Sequence, residues 1–242
     1  MLAIIGALNE ELSGLKKRMS VEKAVRRGGC SLRAGNYRGV PVILVQSGIG
    51  RERAERAVKV AAETYQITSL LSFGFAGALR EDLDIGDIVV CSEIWYRDRP
   101  GDALLRWADS GLATRSKGQA ETGVYLGTSL TVDRPVTRPE DKKALAASIG
   151  ADIVDMEGYW LAKAAASRGI PFLAVRAVTD RLNDRLIPFE KALDAGSEWR
   201  WPHAIGLFAR PDNLARLPTL FSSARTARRR LTEWADYLME NA

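Results

Sequence analysis

The sequence is poor in the side chains that most often build metal centres and catalytic triads. Its 242 residues include two cysteines and one histidine. Cys30 and Cys91 lie too far apart for a metal-binding pair or a disulfide framework. His203 follows Trp201-Pro202 and precedes an apolar stretch, so we interpret it as structural. We therefore expect no metal and no cofactor, and we expect any chemistry to depend on carboxylates.

Long apolar runs are also missing, since no stretch approaches the roughly 18 residues that a membrane-spanning helix requires. The apolar segment from Met1 to Leu8 has no basic segment before it, which predicts a first β-strand rather than a signal peptide. With reduced thiols, this favours a cytoplasmic protein. The net charge is a modest +5, and only 225–230 (RTARRR) forms a basic cluster. No nucleic-acid motif accompanies it, so we expect no nucleic-acid partner and interpret the cluster first as the solvated face of a helix.

The stretch from Ala151 to Asp180 organises the rest of the chain. Ile153 to Asp155 is a short apolar run, and Gly158 to Arg168 has helical spacing and is rich in alanine. Gly169 and Pro171 end that helix. Phe172 to Val178 is almost unbroken apolar sequence, as in a strand buried on both faces. The pattern predicts strand, helix and strand, with the two strands parallel.

Two carboxylates follow these predicted strands. Glu157 lies just past the first strand and Asp180 just past the second, so parallel strands would place both at the sheet edge where α/β proteins bind ligands. This pattern favours a functional site. The alternative is that Glu157 caps the helix that follows it and Asp180 caps the next one.

Three further turns of small or acidic residues follow predicted strands. They are Gly6 to Glu11, Ser47 to Gly50 after a predicted hairpin, and Gly74 to Leu79. Small residues at such turns allow backbone N–H groups to approach an anion or a hydroxyl. We predict one α/β domain over residues 1–242, with a central mixed, mostly parallel β-sheet flanked by helices. The remaining predictions are a surface excursion at Gly101 to Thr122, a strand at Val124 to Leu130, and helices at Glu140 to Ser148, Pro202 to Ala209, Pro211 to Ser222 and Ala224 to Met239.

The ordered set of these turns resembles the nucleoside phosphorylase family, which includes the purine nucleoside phosphorylases and methylthioadenosine/S-adenosylhomocysteine nucleosidase. The matching pieces are IIGALNEE, SGIG, FAGAL followed by LDIGDIVV, and VDMEG followed by PFLAVRAVTD. The resemblance implies the nucleoside phosphorylase fold and cleavage of the C1′–N9 bond of a purine nucleoside. Such a reaction must protonate the leaving base and stabilise a cationic sugar while a nucleophile is held on the opposite face.

The resemblance also implies roles for individual residues. Asp180 would be the acid at purine N7, Glu157 beside Met156 would bind the ribose hydroxyls, and Glu11 would position the attacking water. The other residues that it implies for substrate binding are Ser47, Phe75, Ala76, Gly77 and Thr179.

One departure from the family bears on the nucleophile. Phosphorylases of this family carry an arginine and a serine around the third turn to hold phosphate, whereas this chain has Ser72 and Phe75 there. Glu11 would also repel phosphate. We therefore favour hydrolysis over phosphorolysis, although Arg51, Arg181 or Arg185 could restore a phosphate site. A third hypothesis is a nucleoside-binding protein without turnover, favoured if Arg176 or Arg181 neutralises the carboxylates.

The C-terminal part resembles a narrower branch, the hopanoid-associated phosphorylase-like proteins, which act on an adenosyl-linked triterpenoid. The matching segment is ARPDNLARLPTL with the basic helix that follows it. This resemblance implies transient contact between a basic helix face, with Leu231 and Trp234 nearby, and a membrane surface. The alternative is an amphipathic helix packed on the domain or on a second subunit, with its arginines in solvent. We also expect a homo-oligomer, namely a dimer.

Overall fold

The computed structural model describes residues 1–97, 105–108, 123–187 and 217–240. The predicted helix at 202–209, His203 and most of the predicted excursion at 101–122 lie outside these ranges. The strands are β1 Leu2–Gly6, β2 Ser20–Arg27, β3 Cys30–Tyr37, β4 Val40–Gln46, β5 Ser69–Ala78, β6 Ile88–Tyr96, β7 Leu105–Ala108, β8 Val124–Thr131, β9 Ile153–Asp155 and β10 Phe172–Asp180. The helices are α1 Asn9–Arg18, α2 Arg51–Thr64, α3 Pro139–Ile149, α4 Gly158–Ala166 and α5 Leu217–Glu240.

The strands form one sheet that closes on itself at one end. The order is β10-β6-β8-β9-β5-β1-β4-β3-β2, and a further pairing between β10 and β5 joins five strands into a closed ring. Strands β1, β4, β3 and β2 extend from the ring as an open sheet, and β7 pairs with β6 outside the ring. The predicted mixed sheet is confirmed. Parallel and antiparallel pairings are equally common among the described strands, five of each, so the sheet is not mostly parallel.

The helices cover the two faces of the sheet, and strand alternation decides which residues each face receives. In β1, Ala3 and Ile5 belong to one core cluster, while Ile4 belongs to the other. The first cluster packs against α2 and α4, and the second packs against α1 and α5. No helix in the described ranges has the length and apolar character needed to cross a bilayer.

Three sequence predictions about elements need correction. Strands β9 and β10 are not a parallel pair, because β5 runs parallel to β10 but antiparallel to β9. Strand β2 was not predicted, since it is largely exposed and lacks apolar alternation. One helix, α5, continues through the break predicted near Ser223, which is buried.

Helix α5 is bound to the domain by its own apolar face. Leu231 and Trp234, which the membrane interpretation placed near a bilayer, are buried in the core at 0% and 4% exposure. Asp236 accepts hydrogen bonds from the Tyr37 hydroxyl at 2.5 Å and from Arg38 Nε at 2.6 Å, and it pairs with Arg18. The helix thereby joins the β3–β4 hairpin to α1, which favours the packed-helix interpretation of the tail.

Candidate active site

A cavity of about 620 Å³ lies where the ends of several strands meet. Its walls come from the turn after β1, the end of β5, the segment after β9 and the end of β10. Eight of the nine residues predicted for the site line this cavity: Glu11, Phe75, Ala76, Gly77, Met156, Glu157, Thr179 and Asp180.

Ser47 is the exception and does not line the cavity. Its side chain is 4% exposed, and its hydroxyl lies 2.9 Å from the Gly48 carbonyl oxygen, to which it donates. A serine after a strand can satisfy its hydroxyl on local backbone instead of a ligand, and that is what happens here. Ile49, two residues later, is the member of this turn that reaches the cavity wall.

Asp180 lies at the end of β10 and is 3% exposed. Its Oδ2 pairs with the ammonium group of Lys142, and its Oδ1 lies 2.9 Å from the Thr179 hydroxyl. Burial raises the pKa of Asp180, although the charge of Lys142 opposes that effect. A buried carboxyl group with a raised pKa suits proton donation. Sequence reasoning missed Lys142, whose helix precedes the central stretch.

Glu11 lies in the first turn of α1 with 5% exposure. Its Oε2 accepts the Leu8 N–H at 2.9 Å, and its Oε1 accepts the Phe75 N–H at 3.0 Å. Burial raises its pKa, against the lowering effect of these two N–H groups and of Arg176. The carboxylate therefore connects the turn after β1 to the end of β5 within the cavity wall.

Glu157 precedes α4 but does not cap it, contrary to the alternative drawn from the sequence. Its Oε1 accepts the N–H of Gly50 at 2.7 Å. The first N–H of α4 is taken instead by Asp155, whose Oδ2 accepts from Gly158 at 3.1 Å. Burial, and then the charge of Asp155, raise the pKa of Glu157 to about 8.

Asp155, which also lines the cavity, forms a buried ion pair with Arg176, whose Nε lies 2.8 Å from Asp155 Oδ2. Arg176 also donates to the Ser72 hydroxyl at 3.0 Å, and the Thr131 hydroxyl donates to Asp155 Oδ1 at 2.7 Å. A full set of partners is what makes a buried ion pair tolerable. The sequence signal was the single charge within the apolar run of β10.

The small residues at the end of β5 make room for these carboxylates. A Cβ atom at Gly77 would lie 2.8 Å from Asp180 Oδ2, and one at Gly74 would lie 3.2 Å from Glu11 Oε1. Glycine is needed where a backbone and another group approach this closely. The segment predicted as a turn after β5 is instead the end of that strand as far as Ala78, and its small residues make room for the carboxylates of the protein rather than for an external anion.

The cavity continues past the carboxylates to the open sheet. Lys16, Arg26 and Arg33 line that part, and burial together with the charge of Arg33 lowers the pKa of Lys16 to about 8. Sequence reasoning missed these cations, which lie on α1, β2 and β3. The remaining walls are mostly apolar and include Ile49, Val132, Pro135, Val136, Leu186, Leu220 and Phe221.

Comparison with known proteins identifies the family. Residues 1–198 match the family model described as the phosphorylase superfamily. The chain is 30% identical, over 73% of its length and 82% of the relative, to a 5′-methylthioadenosine/S-adenosylhomocysteine nucleosidase from Colwellia psychrerythraea.

Solved structures give the same fold. A nucleosidase of that name from Neisseria meningitidis, in complex with methylthio-immucillin-A, matches with a TM-score of 0.78 and 23% identity, covering 100% of this chain and 99% of that one. The nucleosidase from Colwellia psychrerythraea in complex with adenine matches with a TM-score of 0.76 and 22% identity, covering 99% of this chain and 94% of that one. The present chain thus belongs to the phosphorylase superfamily, in the family of the nucleoside phosphorylases and the methylthioadenosine/S-adenosylhomocysteine nucleosidases.

Proposed function

We propose that this protein is a nucleosidase that hydrolyses the C1′–N9 bond of an adenine nucleoside. The observation that carries the proposal is the presence of Asp180, Glu157 and Glu11 around one cavity, each in a different environment. Cleavage of such a bond needs an acid for the leaving base, a partner for the sugar hydroxyls and a group that orients the nucleophile. Adenine and adenine nucleoside analogues occupy solved relatives, which supports the choice of base.

In this mechanism each carboxyl group has one task. Asp180 donates a proton to N7, so that the base leaves with the electron pair of the C1′–N9 bond. Glu157 accepts hydrogen bonds from the ribose 2′- and 3′-hydroxyls and stabilises the cationic sugar. Glu11 orients the attacking water and takes its proton as the new C1′–O bond forms.

The surroundings of Glu11 support water rather than phosphate as the nucleophile. Two backbone N–H groups that would otherwise suit an anion, those of Leu8 and Phe75, already donate to its carboxylate. A phosphate beside this carboxylate would also meet a like charge.

The arginines considered as substitutes for a phosphate site are engaged elsewhere. Arg51 pairs with Glu55, Arg181 with Asp84, and Arg185 with Glu140; of the described residues that line the cavity, none is one of these arginines.

The non-catalytic hypothesis required Arg176 or Arg181 to neutralise the carboxylates. Arg176 pairs with Asp155, so neither arginine pairs with Asp180 or Glu157. Asp180 does have a cationic partner, Lys142, but it still lines the cavity. This arrangement favours turnover over binding alone.

The test is release of adenine from adenosine and from 5′-methylthioadenosine, with and without phosphate. We expect release at the same rate in both conditions and a sugar product with a free anomeric hydroxyl. A ribose 1-phosphate product would replace hydrolysis with phosphorolysis. Tight nucleoside binding with no adenine release would instead favour the non-catalytic hypothesis.

A narrower substrate is an adenosyl-linked triterpenoid, as the C-terminal sequence resemblance implies. The specific observation in its favour is an apolar rim of the cavity on α5, formed by Leu220 and Phe221, with Phe221 60% exposed. Since Leu231 and Trp234 are buried, contact with a bilayer would use Phe221 with the exposed Arg225 and Arg229. Co-sedimentation with anionic vesicles should then fall with salt and in Phe221→Ser, and cleavage of soluble nucleosides without any vesicle binding would refute this choice.

A further inference from the structure

Helix α3 buries a single residue, and that residue is a lysine. Lys142 is 0% exposed, whereas the other residues of α3 are partly or fully exposed. Lysine is among the residues least often fully buried, because removing its charge from water is costly unless the charge is paired. An apolar side chain at this position would avoid that cost. A buried lysine here therefore indicates that the ammonium group has a function.

The lysine is directed at the proposed general acid. Its Nζ pairs with Asp180 Oδ2 and donates to the Arg181 carbonyl oxygen at 2.6 Å. The other carboxylate oxygen of Asp180, Oδ1, accepts a hydrogen bond from the Thr179 hydroxyl, and Asp180 lines the cavity. The acid therefore lies between the lysine and the space for the base.

The other charged groups near Asp180 are directed elsewhere. Asp184 acts on Asp180 through its charge, and its carboxylate accepts the Arg181 N–H at 2.9 Å. The Arg181 guanidinium pairs with Asp84. Lys142 is thus the one cation paired with Asp180 among the described residues.

We propose that Lys142 is a positioning residue that stores the proton which Asp180 delivers to the leaving base. The proposal rests on the proposed function and deepens it. In the resting pair, the ammonium of Lys142 faces the carboxylate of Asp180. Burial disfavours the charged form of the Asp180 carboxyl group, so this group can hold the proton that the adjacent ammonium passes to it.

The proton inventory of the reaction balances. An Nζ–H bond of Lys142 breaks as an O–H bond forms on Asp180, and that O–H bond breaks as an N7–H bond forms on the base. The C1′–N9 bond then breaks, and its electron pair stays on the departing neutral base. Water forms the new C1′–O bond and gives a proton to Glu11. Solvent later takes the proton from Glu11 and returns one to the Lys142 amine, so the net reaction consumes one water.

The choice of lysine over arginine agrees with this role. Both would hold the Asp180 carboxylate in place, but an arginine in a protein does not release its proton, whereas a lysine ammonium can pass one to a neighbouring base. A purely structural anchor for α3 would gain nothing from that difference. Replacing Lys142 by methionine and by arginine therefore distinguishes a lysine that supplies a proton from one that only holds the Asp180 carboxylate in place.

The test uses Lys142→Met, Lys142→Arg and the control Lys143→Met, which changes the next, exposed residue of α3. The pH profile of kcat/KM is measured with adenosine and with a riboside whose nitrophenolate leaving group needs no proton. With adenosine, we expect Lys142→Met to lose about 10²-fold in kcat/KM and to move the alkaline limb of the profile down by about one pH unit or more. Lys142→Arg should keep the fold but show the same loss of rate, and Lys143→Met should match the wild type.

With the nitrophenyl riboside, the loss in both Lys142 variants should largely disappear. Full rescue of adenosine turnover by Lys142→Arg, or an unchanged alkaline limb in Lys142→Met, would overturn the proposal. If Lys142→Met does not fold, the wild type alone still tests the proposal. An alkaline limb at the same pH for adenosine and for the nitrophenyl riboside would refute the role of Lys142 as a proton store. A wild type that cleaves neither substrate would reject the proposed function itself, which is a different outcome.

Discussion

Replacing Asp180 by asparagine should affect turnover and stability separately, because this side chain has a partner on each side. Toward the cavity, the amide keeps the shape of the carboxyl group but has no proton to give to the base. General acid catalysis is worth about 10²–10⁴-fold, or about 3–5 kcal/mol of transition-state free energy. We expect kcat for adenine release to fall by that factor while nucleoside binding is retained.

Toward the interior, the same change leaves the ammonium of Lys142 without its carboxylate, although Lys142 is 0% exposed. Removing one member of a buried ion pair costs about 3–5 kcal/mol of unfolding free energy. Asp180→Asn should therefore lose stability on that order in denaturant titrations. The double variant Asp180→Asn/Lys142→Met should recover much of the stability and none of the rate.

The assays are adenine release under saturating nucleoside and urea unfolding of the same preparations. Asp82→Asn is a matched control, since that carboxylate is 60% exposed and pairs with Arg80 on the surface. Exposed ion pairs contribute little, so this control should keep the stability and turnover of the wild type. A folded Asp180→Asn protein with turnover within about tenfold of the wild type would refute the acid role.

Three further changes test other parts of the structure. The pKa of Glu157 is raised to about 8, so kcat/KM for ribonucleosides should rise as pH increases through that value. The variant Glu157→Gln should lack this acidic limb and bind ribosides weakly, and a limb that persists in the variant contradicts the assignment. Gly77→Ala places a Cβ 2.8 Å from Asp180 Oδ2, so turnover should fall by about tenfold or more while circular dichroism stays unchanged, and normal turnover would show that the carboxylate can move freely. Burial alone would raise the pKa of Asp236, but hydrogen bonds from Arg38 and Tyr37 lower it, so its stabilisation should be present above the unfolded-state pKa of about 3.9 and lost as pH falls through the folded-state value. Asp236→Asn should lower the free energy of unfolding by about 1–3 kcal/mol in urea titrations at pH 7, and by much less at a pH below the folded-state pKa of Asp236. A loss of stability that does not change with pH would contradict this account.

The cavity could be predicted from sequence because its residues follow strands with strong apolar patterns. Asp180 ends β10, Glu157 lies two residues past β9, and the small residues lie at the end of β5, so local sequence signals indicated the wall of the cavity. The relation between β9 and β10 could not be predicted, since β9 has three residues and pairs with only Gly77 and Ala78 of β5. A strand this short carries no periodicity that would fix its direction.

Lys142 illustrates a different limit of sequence reasoning. It lies 38 residues before Asp180, on a helix whose ends are marked by Pro139 and by the left-handed Gly150. Those signals fix where the helix begins and ends but not which face is buried. A lysine side chain is expected in solvent, and only the folded structure shows that the ammonium of Lys142 pairs with Asp180 at the end of β10.

The sheet separates the proposed chemistry from substrate selection. Asp180 belongs to β10 in the closed ring, whereas Arg33 belongs to β3 in the open sheet. Four strand spacings separate β10 from β3, which is about 19 Å along the sheet. A nucleoside held at Asp180 and Glu157 would leave the part near Lys16, Arg33 and the α5 rim for a 5′ substituent. Substitutions on β2, β3 and α5 can therefore change which substituent fits while the ion pairs that support the carboxylates stay intact, so adenosine turnover and 5′ selectivity should respond to different residues.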